Sequence, residues 1–162
     1  MLCYQEFYCA SNGGGLSGGS LAGKQAWVCR KRELDMPTVE ISCGELVDKL
    51  TILEIKERQL TSPAAVANVK RELAALNEAL SALRLPAAFI VLKRELASIN
   101  ASLWEIEDRI RAKEATGAFD DEFVALARSV YRNNDKRAAL KREINLLLKS
   151  DFIEEKQYTP YA

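Results

Sequence analysis

Side chains able to do chemistry gather in three stretches of this sequence. SLWEIEDRIRAKE carries Trp104, Glu107 and Asp108, and FVALARSVYRNNDKRAALKREIN carries Arg128, Tyr131, Asn134, Asp135, Arg137 and Lys141. GELVDKLTILEIK adds Asp48, Lys49 and Lys56. Guanidinium groups bind carboxylate or phosphate through paired N–H donors, so Arg128, Arg137 and Lys141 are candidates for an anion pocket that takes a phosphate- or carboxylate-bearing small molecule. The competing expectation is a polar layer inside a helical seam, which fixes helix register at some cost in stability. The second is preferred, because bundles that bind nothing also carry such layers. A mutase-like enzyme built on the same cluster is the alternative.

Several chemistries are disfavoured. The chain has no histidine, so the commonest general base and metal ligand is missing. Glu107 and Asp108 are adjacent and splay apart on a helix, which makes them a poor acid–base pair. Cys43 has no neighbouring cation or histidine to activate it. Cys3, Cys9, Cys29 and Cys43 show no C-x-x-C spacing, which argues against a zinc site or a disulfide scaffold and suits a reducing, cytoplasmic setting. Gly18–Lys24 (GGSLAGK) matches the first seven positions of a phosphate-binding loop. Gln25 stands where a magnesium-binding hydroxyl is needed, and no strand pattern precedes it, so no nucleotide site is expected. Hence no catalytic residue, metal or cofactor is assigned. With 23 basic and 23 acidic residues, no overall field recruits nucleic acid or an anionic membrane. No apolar run approaches the roughly 20 residues of a membrane span.

The elements that must position these groups are helices. Ser42 and Glu45 have the spacing of a capping box. The first helix is predicted at about 43–60, with apolar residues on two faces (Leu46, Val47, Leu50, Leu53; Ile52, Ile55), the pattern of a helix sandwiched between neighbours. Ser62-Pro63 starts a second at about 63–84, on a stripe from Val66 to Leu83. A third, about 87–115, carries heptads from Phe89 to Ile110 and stops at Gly117. The fourth, about 120–150, has Asn133 and Arg137 where its apolar register asks for Leu or Ile. Short connections make sequential helices antiparallel. The fold class is therefore all-α: a four-helix antiparallel bundle, or two packed helical hairpins with a long helix 3–helix 4 hairpin. Opposing residues in that hairpin sum to about 235, which sets Glu107 against Arg128, Trp104 against Tyr131, and Asn100 against Asn134 and Asp135. The coiled-coil-like stripes would also support a homodimer or a helical protein partner.

Residues 1–35 read differently. Their Gly/Ser-rich centre is expected to be a flexible extension, and Met36 is a plausible natural start. Residues 36–162 are expected to form a single domain, with Phe152, Tyr158 and Tyr161 docking the tail.

ISCGELVDKLTILEIK, SLWEIEDRIRAKE and FVALARSVYRNNDKRAALKREIN together resemble a family of short bacterial helical proteins of uncharacterised function, over about residues 36–161. The resemblance carries forward Glu45 and Glu54 beside the candidate residues above. It implies at most an accessory role beside glycosyltransferases that make surface polysaccharide. In helical architecture and scattered Arg and Lys the chain is also similar to the helical chorismate mutases, an analogy only. A non-enzymatic interaction module is the function expected.

Overall fold

The computed structural model describes residues 38–157 and 159. The Gly/Ser-rich stretch, the Gly18–Lys24 motif, the start at Met36, Tyr158 and Tyr161 lie outside the described residues. Those described contain four helices: α1 (Cys43–Gln59), α2 (Pro63–Ser81), α3 (Ala88–Thr116) and α4 (Asp121–Leu147). The all-α expectation holds, and the arrangement is that of two packed hairpins. The backbone of α1 lies against α2, α3 and α4, whereas that of α2 comes close only to α1.

Local signals set most boundaries. Ser42 is extended and its Oγ accepts the Glu45 N–H at 3.1 Å, one half of the capping box. The Glu45 carboxylate does not return to Ser42; it bonds Lys141 of α4 instead. Ser62 makes no side-chain cap, and the α2 start rests on Pro63, whose fixed φ suits the first helical position. α2 ends at Ser81, before the Leu83 that completes its apolar stripe; Leu83 is exposed. Gly117 closes α3 in the left-handed region, φ 66°, where a side chain would be strained. Asp120 then caps α4, accepting the Phe123 N–H at 3.0 Å. At this tip Lys113 bridges Asp120 (2.7 Å) and Glu122 (2.5 Å). Those bonds hold Lys113 above its ordinary pKa and the two carboxylates below theirs.

The two-faced apolar pattern of α1 is what makes it central. Val47, Leu50, Leu96 and Ile144 are fully buried in one cluster with Leu46, Leu80 and Phe89. Each such side chain contributes about 1.5–3 kcal/mol relative to exposure. At the other edge of this cluster α1 and α4 approach very closely. A Cβ on Gly44 would lie 2.5 Å from the Lys141 carbonyl oxygen and 2.9 Å from Asn145 Oδ1.

Of the three aromatics expected to dock the tail, Phe152 is the one among the described residues, and it is 51 % exposed. The attachment is ionic: Glu154 reaches Lys141 at 3.1 Å, and Glu155 bonds Arg142 at 2.6 Å. The buried Lys141 ammonium gains from this added carboxylate, because a buried charge left without enough counter-charge is costly.

Candidate functional site

The polar centre of the fold is Asp48, on the face of α1 turned toward both long helices. It is 2 % exposed. Arg137 of α4 grips it with both edges of the fork, Nε donating to Oδ1 at 2.9 Å and Nη2 to Oδ2 at 2.5 Å. Asn100 of α3 donates from Nδ2 to Asp48 Oδ1 at 2.8 Å and to Thr51 Oγ1 at 2.9 Å. One buried carboxylate therefore ties three helices together, with paired, charge-assisted bonds of the strong kind. On the α4 side, Asn134 Oδ1 accepts weakly from Arg137 Nη1 at 3.4 Å.

A cavity of about 250 Å³ opens beside this clamp, between α1, α3 and α4. Ile52, Ile55 and Leu103 make its apolar floor, with Asn100 and Arg137 at the clamp end. Trp104, Glu107, Asp108 and Arg111 come from successive turns of α3, and Asn134 faces them from α4. Arg111 bonds Glu107 at 3.0 Å and lies 3.9 Å from Asp108.

Of the predicted residues, Asp48, Trp104, Glu107, Asp108, Asn134 and Arg137 are thus brought to the clamp or the cavity. The others are not among its lining. Lys49 points to α2 and pairs with Glu72 at 2.5 Å. Lys56 is half-buried on α1 and Asp135 half-buried on α4. Arg128 lies on the surface beside Tyr131, and its hydrogen bond holds the Tyr131 phenol below its ordinary pKa. Tyr131 is exposed, with the Arg132 guanidinium 5.9 Å from its ring centre, rather than filling the seam opposite Trp104. Asn133 turns back onto its own helix, donating to the Ser129 carbonyl at 2.8 Å, so it is not part of the layer. The Arg128–Arg137–Lys141 anion pocket, the alternative to a polar layer, is not assembled. Nine residues put Arg128 on the opposite side of α4 from Arg137, and Lys141, one turn beyond Arg137 on the same side, is taken by Glu45 and Glu154.

Lys141 anchors a second cluster. It is buried and bonded to Glu45 of α1 and Glu154 of the tail. Burial works to lower its pKa, but the two carboxylates outweigh it and hold the ammonium above the usual 10.5. A raised pKa means the pairing contributes fully below the ordinary value of 10.5 and is lost as pH climbs from there through the folded value. Urea unfolding of the native chain is expected to weaken above that range, and the Lys141→Met variant to lack this component. An identical alkaline loss in both would place the cause elsewhere.

Thr51, Asn100, Arg111, Gly44 and Asn145 are site or junction residues absent from the sequence-based set. Arg111 had a usable signal, standing four residues after Glu107. Gly44 N–H donates to Asn145 Oδ1 at 2.6 Å and Cys43 N–H to Ser150 Oγ at 3.2 Å, so amides at the α1 N-terminus are taken by Asn145 of α4 and by Ser150 just past its end. Among the described residues no cluster of metal-ligating side chains occurs, and no helix is long and apolar enough to cross a membrane.

Neither curated proteins nor solved structures give a match to the chain. A family model does match, over residues 37–162, the same span that holds the four helices, the clamp and the cavity. The chain belongs to DUF6165, a family of unknown function.

Proposed function

We propose that the chain is a non-enzymatic protein-interaction module that pairs with a second copy of itself in the cytoplasm, with an accessory role beside the glycosyltransferases of surface-polysaccharide synthesis. The observation that carries pairing is uncovered apolar surface where the chain runs into α1 and out of α4. Val39, Ile41, Leu146, Phe152 and Ile153 are 41–75 % exposed. The Cys43–Ser150 bond brings the lead-in and the tail together at this corner of the fold. Exposed apolar side chains gathered in this way mark contact sites. Zero net charge removes the repulsion that would oppose two copies meeting. A non-enzymatic role is supported by the use of Asp48, Arg137, Glu45 and Lys141 as ties between helices. The accessory role is supported by the family resemblance of the three motif phrases, and the cytoplasmic setting by the cysteine spacing.

Sedimentation velocity of the full chain across a concentration series is the test. The expected result is a reversible monomer–dimer equilibrium that shifts to monomer in the Phe152→Asp/Ile153→Asp variant, with helicity by circular dichroism unchanged. A chain that stays monomeric at its highest soluble concentration, or a variant that dimerises like the native protein, overturns the proposal.

A further inference from the structure

We propose that the cavity between α1, α3 and α4 binds a small zwitterion of the α-amino-acid class carrying an aliphatic side chain. This rests on the cavity alone and is independent of pairing at the apolar corner.

The lining carries charge of both signs over an apolar floor. Two guanidinium groups, Arg111 and Arg137, and two carboxylates, Glu107 and Asp108, surround the opening. A simple anion placed there meets both carboxylates, and a simple cation meets both guanidiniums. A molecule with an ammonium and a carboxylate on neighbouring carbons answers both, and its net charge of zero matches the lining. The hydrocarbon part then lies on Ile52, Ile55 and Leu103. Size points the same way: about 250 Å³ falls just below the roughly 300–1,000 Å³ of clefts that hold drug-sized ligands, which suits a compact molecule rather than a nucleotide.

The two ends of the cavity also differ in stiffness. Arg137 is fixed by the buried Asp48 and keeps that partner on binding, so it serves as a preset polar wall. On α3, Arg111, Glu107 and Asp108 are 70, 52 and 63 % exposed, and among the described residues they pair with one another. Solvated pairs of this kind are weak, so they exchange readily for ligand contacts. In the bound state Glu107 and Asp108 accept from the ligand ammonium, and Arg111 donates to its carboxylate. The Trp104 indole in the same wall adds cation–π attraction for the ammonium and a fluorescent reporter.

The experiment uses the full chain with Trp27→Phe, which leaves Trp104 as the sole tryptophan. Alanine, valine, leucine and methionine are titrated by Trp104 emission and by calorimetry. Beside them run the amine and the acid that match leucine but lack its carboxylate or its ammonium, glucose, and inorganic phosphate. The expected result is saturable binding of at least one amino acid, with each truncated analogue about tenfold weaker or more, equivalent to about 1.4 kcal/mol. Glu107→Gln with Asp108→Asn is expected to abolish that binding with an unchanged melting temperature, because both residues are exposed. The proposal is overturned if no member of the set binds, if phosphate, glucose or either truncated analogue binds as tightly, or if the double variant binds like the native chain.

Discussion

Asp48→Ala is expected to destabilise the protein by about 3–5 kcal/mol, the range for breaking a buried ion pair by removing one partner. The carboxylate is only 3 % exposed at its side chain, and its loss strips the Arg137 guanidinium of its paired carboxylate bonds between α1 and α4. Asn100 loses one of its two partners in the same step. Against a total stability of about 5–15 kcal/mol for a single domain, that loss decides whether the chain stays folded. Replacing the pair together, Asp48→Leu with Arg137→Met, is expected to recover most of the loss, since it removes both the charge and its desolvation. Urea titrations of native, single and double variants measure all three. A single variant within about 0.5 kcal/mol of native, the usual effect of a surface substitution, would mean the clamp is solvated and unimportant.

Gly44→Ala is expected to cost about 2–3 kcal/mol, toward the upper end of what an added methyl does in a packed interior. The added carbon would sit 2.5 Å from a backbone oxygen, Lys141 O, which cannot rotate away. Relief requires α1 and α4 to separate, and that lengthens the Gly44–Asn145 bond and disturbs the Glu45–Lys141 pair one residue on. Alanine normally favours a helix over glycine by roughly 0.5–1 kcal/mol, so the sign of the change is diagnostic. Thermal unfolding of the variant supplies the number; a stabilised Gly44→Ala protein would show that the two helices are free to move apart.

Helix positions were legible because period and punctuation agree. Leu, Ile and Val recur at three- and four-residue steps along all four helices, and Ser42, Pro63, Gly117 and Asp120 stand at their ends. The two-faced pattern of α1 marked it as central before any contact was known. The site was legible in part. Arg137 stood out as a charge inside an apolar stripe and Asp48 only as one of three candidate charges on α1, and their pairing crosses 89 residues of sequence and depends on how α1 lies over the long hairpin. Hairpin register alone put Asn100 opposite Asn134, whereas its amide turns to Asp48 and Thr51. The capping-box spacing of Ser42 and Glu45 hid a second use for the glutamate, because Lys141 is a stronger partner than a backbone amide. Phe152 misled for the opposite reason: hydrophobicity says that a ring gains by burial, not that a surface is available to bury it.

The bonds that seat α1 on α4 and the residues just past it reach far ahead along the chain: Asp48 to Arg137, Gly44 to Asn145 and Cys43 to Ser150 span 89, 101 and 107 residues. A ribosome delivers α1 first and its anchors last, at about 5–20 residues per second. For several seconds of synthesis the nascent α1 has α2 and then α3 to cover its apolar faces, but its Asp48 carboxylate is met by Asn100 without the Arg137 guanidinium. Most helical proteins close through near neighbours and do so quickly. This one completes its centre only when α4 emerges, which makes the interval before that moment the time when chaperones have most to hold.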